Sequence, residues 1–301
     1  MRAHVVLNDN EVGRATLSSW PAPCVSSECP VTLREVPQFS VVIPTHERPD
    51  FLAAAVASVQ AQTVTDWECI VVVDGGPMPP QPEDPRVSIV PRATSGGPGV
   101  ARNAGIEHAT GTYVTFLDDD DTWLPDRLAI AVEGLALAPV AVCFGISDGE
   151  LAWRGDWSGD VSDTILDRKA PSVNGVAVRR DSCPLFDPAF RGAEDVEWLL
   201  RLARDVPFAT VPKPGFVRGN FGTPRPDQVP RVEGVRGLLE RHAEYFDSHP
   251  RAAARCWEYY AEVSLKVGRR RQARAALQRA FMRRPSVRVL RSWLNTWIVR
   301  G

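Results

Sequence analysis

The sequence predicts an α/β fold, a mostly parallel sheet with helices on both faces, followed by a C-terminal helical subdomain. Three observations carry this. Apolar runs of strand length alternate with segments of helical spacing through residues 38–220. Polar clusters follow the first, second and fourth strands, where sheets of this class bind ligands. Past a connector with three prolines, Gly222–Pro230, the chain reads as helical to its end.

The elements follow in order. Phe39–Ile43 is a short buried strand, and its polar cluster is Thr45–Arg48. Pro49 suits a first helical position, and Phe51, Leu52, Ala55, Val56 and Val59 then recur on one helical face. Glu68–Val73 is the second strand, closed by Asp74-Gly75-Gly76, and Val87–Val90 is the third. Gly96-Gly97-Pro98-Gly99 opens a helix over Val100–Ala109. Tyr113–Leu117 is the fourth strand and runs directly into Asp118-Asp119-Asp120-Asp121. Trp123-Leu124-Pro125 turns back into a helix over Pro125–Leu137, and Val140–Phe144 is a further strand. The expected divisions are residues 1–37 (an extension, with a short strand at His4–Leu7), 38–221 and 222–301. In the last, Trp257, Gly268, Ala273, Leu277, Ala280 and Pro285 fit one tetratricopeptide-like helical hairpin. A single copy cannot bury its own face, so it is expected to pack on the sheet domain or on a second subunit.

The 301 residues are 44% hydrophobic and 24% charged, which excludes bulk disorder. A net charge of -2 gives no footprint for nucleic acid. The charge is unevenly spread: Val263–Gly301 holds 11 basic residues and no acidic ones. Its arginines alternate with Leu277, Phe281, Leu290, Trp293 and Trp297, a pattern that suits peripheral contact with an anionic membrane, a homodimer contact or a solvated helix face. The longest apolar run, Leu135–Ile146, has 12 residues where a spanning helix needs about 20. The first residues carry no apolar signal core, so a cytoplasmic protein is expected. Six scattered cysteines form no disulfide framework, and Cys24 and Cys29 lack a second pair for zinc. The five histidines show no metal spacing.

The aspartate run is the strongest chemical signal. Adjacent carboxylates raise one another's pKa unless a cation or hydrogen-bond donors answer them. Mg²⁺ takes one or two protein carboxylates and leaves positions for phosphate oxygens, so the run suits a metal–diphosphate site. The alternative is a solvated acidic loop. The Ser95–Gly99 loop could offer backbone N–H groups to phosphate, but it lacks the Lys-Ser/Thr ending of a P-loop.

Together, FSVVIPTHERPDFLAAAVASVQAQT, ECIVVVDGG, GVARNAGIEHATGTYVTFLDDDDTWLPDRL, GVAVRRDSC and FRGAEDVEWLLRLA resemble, in order, the motifs of the inverting family-2 glycosyltransferases with the GT-A (Rossmann-like) fold. The resemblance covers about residues 38–220. It implies a nucleotide-sugar donor, a UDP-sugar first, and Mg²⁺ or Mn²⁺ as cofactor. Asp74 matches the carboxylate that binds the base; Pro44, Thr45, His46 and Glu47 match the loop around it; Arg102 matches a cation near the nucleotide. Asp118 and Asp120 match metal ligands, with Asp119 nearest the ribose. Asp195 matches the catalytic base, with Glu194 beside it. His46 and Glu47 stand where Tyr and Asn are usual, and Gly75 replaces a second Asp, so the base preference stays open. Trp123 is expected to stack on a sugar or pack in the core. Arg179 and Arg180 fit an acceptor-side or diphosphate role, or strand-edge ion pairs. The acceptor is a saccharide, a lipid-linked saccharide, a natural product or a peptide. The competing readings are a nucleotidyltransferase and a degenerate nucleotide-sugar-binding scaffold.

Overall fold

The computed structural model describes residues 36–167, 169–219 and 229–298. The strand expected at His4–Leu7, and Cys24 and Cys29, lie outside the described residues. Four parallel strands form one half of the sheet: β1 (Phe39–Thr45), β2 (Trp67–Asp74), β3 (Val87–Arg92) and β4 (Tyr113–Phe116), in the order β3-β2-β1-β4. Val42 registers with both Ile70 and Phe116, so β1, β2 and β4 end at the same edge. That edge carries Thr45, Asp74 and the aspartate run.

Alternation along the strands builds two cores. Val41 and Ile43 pack with Leu52, Ala55 and Val59 of α1 (Pro49–Gln60) and Leu128 of α3 (Arg127–Leu135). Val42, Ile70 and Phe116 point the other way, to Ala101 of α2 (Pro98–His108) and Trp198 of α4 (Glu194–Asp205). Phe116 and Phe186 meet edge-on, and Phe186 stacks on Trp198 at 5.0 Å between centroids.

Beyond β4 the sheet becomes mixed. The path continues through β8 (Val176–Arg179), β6 (Val140–Ser147), β9 (Phe208–Arg218) and β5 (Asp121–Trp123), with the short β7 (Glu150–Ala152) against β6. β8 lies antiparallel to β4 and β6, and β5 lies antiparallel to β9. One local expectation changes here, and one strand appears that was not expected. A short strand, β5, begins at the last aspartate of the run, and the helix expected from Pro125 begins at Arg127. β9 is a strand despite Pro212 and Pro214: its register slips between Cys143↔Val211 and Phe144↔Pro214, so Pro212 and Lys213 bulge out of the ladder.

The C-terminal region is helical as expected: α5 (Val229–Arg241), α6 (Ala243–Ser248), α7 (Pro250–Lys266), α8 (Arg270–Arg283) and α9 (Val287–Ile298). The α7–α8 hairpin turns at Gly268. The helices pack on the sheet domain, since Val232, Val235 and Leu238 of α5 and Ala253 and Tyr260 of α7 share one core with Phe190 and Trp198. Polar ties cross the same boundary: Arg241 to Asp187 at 2.9 Å, His242 to Glu197 at 3.2 Å and His249 to Asp163 at 3.0 Å. Much of the basic end is answered within the chain, with Arg269 on Glu233, Arg283 on Asp247 and Arg288 on Glu258. Val287, Leu294 and Trp297 stand exposed on α9. Among the described residues, Cys69, Cys143, Cys183 and Cys256 are free thiols, and no helix is long and apolar enough to cross a membrane.

Candidate active site

The site is built where β1, β2 and β4 end. Pro44 and Thr45 are buried in β1, and the Thr45 hydroxyl donates to Asp119 Oδ2 at 2.7 Å. His46 is exposed, and its Nδ1–H donates to the Asp74 carbonyl at 2.9 Å; a carbonyl can only accept, which sets the tautomer. Glu47 adopts φ 54°, a left-handed conformation that a long side chain rarely takes. Asn, the usual residue of the resembled motif, tolerates it better. Arg48 donates from Nη1 to Asp119 at 3.3 Å and Asp120 at 3.2 Å. The sequence placed Arg48 in the polar cluster without giving it a role. Beside this loop lies a cavity of about 140 Å³ lined by Thr45, Glu47, Arg48, Leu52, Val73 and Met78, among others.

The Asp74 carboxylate is closely surrounded by donors. Its carboxylate accepts from Arg92 at 2.5 Å, from Ser95 at 2.9 Å, from Gly96 N at 3.0 and 3.1 Å, and from Gly97 N at 2.7 Å. These bonds use the acceptor sites of both oxygens. Asp74 thus anchors the Ser95–Gly99 loop against the end of β2. The loop can bend there because Gly97 takes φ 89°, closed to ordinary side chains.

The aspartate run divides by direction. Asp119 turns to Thr45 and Arg48. Asp118, Asp120 and Asp121 turn together, each offering an oxygen within 4.8 Å of the others. The sequence reading named Asp118 and Asp120; Asp121 is the third member. Burial, then the neighbouring Asp118, pushes the Asp121 carboxyl up to about 8. Burial and Asp118 also raise Asp120, and burial raises Asp119 despite the Thr45 bond. Three converging carboxylates, only partly answered by Arg102 and Arg48, offer the hard oxygen donors that suit Mg²⁺ or Mn²⁺.

Arg102 is 3% exposed and donates from Nη2 to Asp118 at 2.5 Å, while its Nε and Nη1 find no partner. Burial opposes its charge, but Asp118 and then Glu194 outweigh it and hold its pKa above the ordinary value. Glu194 and Asp195 open α4. A Cβ built on Gly99 would touch Glu194 at 3.4 Å, so the starts of α2 and α4 abut. Glu194 is buried with Oε2 unpartnered, and burial, then Asp195, raises its pKa. Asp195 is half-buried and accepts a local bond from Val196 N. Asn174, which no sequence signal singled out, contacts both Asp118 and Asp121.

Two expected residues fall away from the cleft. Trp123 is 4% exposed, because the β5–β9 pairing turns it into the core, where the Arg127 guanidinium lies 5.2 Å from its ring. It has no face for a sugar. Arg179 registers with Tyr113, the first residue of β4, because β8 runs antiparallel to β4. It sits at the opposite sheet edge and pairs with Asp181 at 2.7 Å. Arg180 lies at that edge too, bonded to the Gly111 carbonyl.

This sheet order, with the acidic run at the strand ends, defines the GT-A class. Residues 40–174 match the family model described as Glycosyl transferase family 2. One relative is the succinoglycan biosynthesis protein ExoW of Rhizobium meliloti, 38% identical over 109 residues, which are 33% of this chain and 34% of ExoW. The chain spans about a third of the length of such curated relatives. Among solved structures, S. aureus TarS 1-349 in complex with UDP-GlcNAc has a TM-score of 0.55 at 16% identity, covering 86% of this chain and 92% of that one. The mannosyltransferase PcManGT from Pyrobaculum calidifontis, in complex with GDP-Man and Mn²⁺, has a TM-score of 0.54 at 18% identity, covering 86% and 79%. At these identities the likeness carries the fold.

Proposed function

We propose that this protein is a metal-dependent inverting glycosyltransferase that moves a sugar from a nucleotide-sugar donor, a UDP-sugar first, to an acceptor hydroxyl of a saccharide. One observation carries the reading: Asp118, Asp120 and Asp121 converge at the strand edge, and Arg102 spans from them towards the Glu194–Asp195 start of α4. The named ligands of TarS and PcManGT support a nucleotide-sugar donor and a divalent cation. The name of ExoW supports a saccharide acceptor.

Each group has a part. The three carboxylates would hold Mg²⁺ or Mn²⁺, and the ion would supply Lewis acidity towards a departing diphosphate. Arg102 adds a buried positive charge with two unpartnered nitrogens, Nε and Nη1, beside the place where negative charge develops. The cavity by Thr45 and Val73 receives the base, with backbone and Arg48 rather than Asp74 facing it. Asp195 takes the proton from the acceptor hydroxyl as general base. It lies at a helix start, where the dipole favours its ionised form. Glu194 is buried behind it and keeps the local charge balance with Arg102. A single displacement inverts the anomeric centre.

The test is donor turnover with UDP-, GDP- and TDP-sugars, with Mn²⁺ and after chelation. The reading expects metal-dependent release of nucleoside diphosphate. Pyrophosphate release would indicate nucleotidyl transfer, and binding without turnover would indicate a scaffold. Asp120→Ala should abolish metal-dependent UDP binding by calorimetry; unchanged affinity would remove the metal assignment.

A further inference from the structure

Asn174 sits in the short 3₁₀ turn Val173–Gly175 just before β8, and is 1% exposed. Every polar function of its amide is used. Its Oδ1 accepts from the Asp118 N–H at 2.9 Å. Its Nδ2 donates to Asp118 Oδ2 at 3.4 Å and to Asp121 Oδ2 in a close contact. The orientation is unambiguous, because the oxygen must face the N–H and the amine must face the carboxylates. The second oxygen of Asp121 accepts from Gly219 N at 2.8 Å, at the end of β9. The carboxylate pair is therefore clamped between two segments far along the chain.

The turn is itself fixed from below. Arg127 of α3 is 1% exposed, and among the described residues no carboxylate pairs with it. Its Nε donates to the Asn174 carbonyl at 3.2 Å and its Nη2 to Thr115 Oγ1 at 3.2 Å. Thr115 Oγ1 donates on to the Val176 carbonyl at 2.7 Å. A buried cation is retained only where its hydrogen bonds are needed. These bonds join β4, α3 and the start of β8 directly beneath the aspartate run.

We infer that Asn174 is a positioning residue for the cation site: held through its main chain by Arg127, it aims Asp118 and Asp121 so that their free lone pairs converge with Asp120. The inference rests on the cation reading of that cluster. Asn174 touches neither the cavity beside Thr45 nor the start of α4, so its effect reaches the reaction only through the carboxylates. Groups that orient metal ligands typically contribute a factor of 10–100 in metal affinity.

The experiment is calorimetric titration of Mn²⁺ at saturating UDP for the wild type and for Asn174→Leu and Asn174→Ser. UDP affinity without metal, thermal unfolding and the Mn²⁺ electron paramagnetic resonance spectrum are measured alongside. The leucine matches the amide in size without its hydrogen bonds; the serine is small enough to fold if the leucine does not. Expected is a loss of Mn²⁺ affinity of roughly 10–100-fold and an altered Mn²⁺ spectrum, with metal-free UDP affinity within about twofold of wild type. A folded variant with wild-type Mn²⁺ affinity and spectrum overturns the inference, as does an equal loss of metal-free UDP binding, which would mean general loosening. A wild type that binds no Mn²⁺ overturns the cation reading instead.

Discussion

The hydroxyl of Thr45, the last residue of β1, lies 2.7 Å from the Asp119 carboxylate that follows β4. The bond joins the nucleotide-side loop to the acidic run and turns Asp119 away from its three neighbours. Thr45→Val keeps the shape and deletes the donor beside a buried carboxylate. A loss of about 1–3 kcal/mol is expected, read as a lower denaturation midpoint at unchanged slope. Unaltered stability would show that Asp119 is satisfied without it.

Asp195→Asn tests the base. Asparagine cannot take a proton, so transfer should fall by about 10²–10⁴, while UDP affinity with Mn²⁺ stays at the wild-type value. Near-normal turnover would move the base elsewhere, with Glu194 the next carboxylate to test.

Asp74→Asn separates loop anchoring from base recognition. An amide would turn one N–H₂ towards donors on Arg92, Ser95 and the Gly96–Gly97 backbone. The expected result is a drop of about 1–3 kcal/mol in stability without any ligand. A variant with wild-type stability and weakened UDP binding would return Asp74 to the base.

Glu197 of α4 accepts from Arg201 Nε at 2.8 Å and from His242 Nε2 at 3.2 Å, linking the sheet domain to the junction of α5 and α6. Burial raises its carboxyl, but the His242 and Arg201 bonds outweigh burial and hold it below the usual 4.5. Its stabilisation is therefore present above pH 4.5 and is lost as pH falls through the lowered folded value. Glu197→Gln should lower stability at pH 7 and flatten the acid limb of a pH–stability curve. A variant as acid-sensitive as wild type would place that limb in other carboxylates.

Much of the sheet domain was readable along the chain. FSVVI, ECIVVV and YVTFL announce their strands because apolar β-branched residues fit a pleated buried surface, and each is followed by a polar cluster. The strand β9 was hidden by Pro212 and Pro214, which only its bulge accommodates. Asn174 carried no signal, since a lone asparagine in PSVNGV looks like any turn residue. Arg179 read as a site residue because nothing local reveals the direction of β8.

The sequence alone determined the alternation of strand and helix, the position of the aspartates at a strand end and the acidic opening of α4, all consequences of short-range periodicity and spacing. The tertiary structure decided which groups answer those aspartates. Asn174 lies 56 residues from Asp118, and Gly219 lies 98 from Asp121. Such partners are set by how β8 and β9 insert into the sheet, because the electrostatics of a buried carboxylate depends on what packing brings within a few ångströms of it.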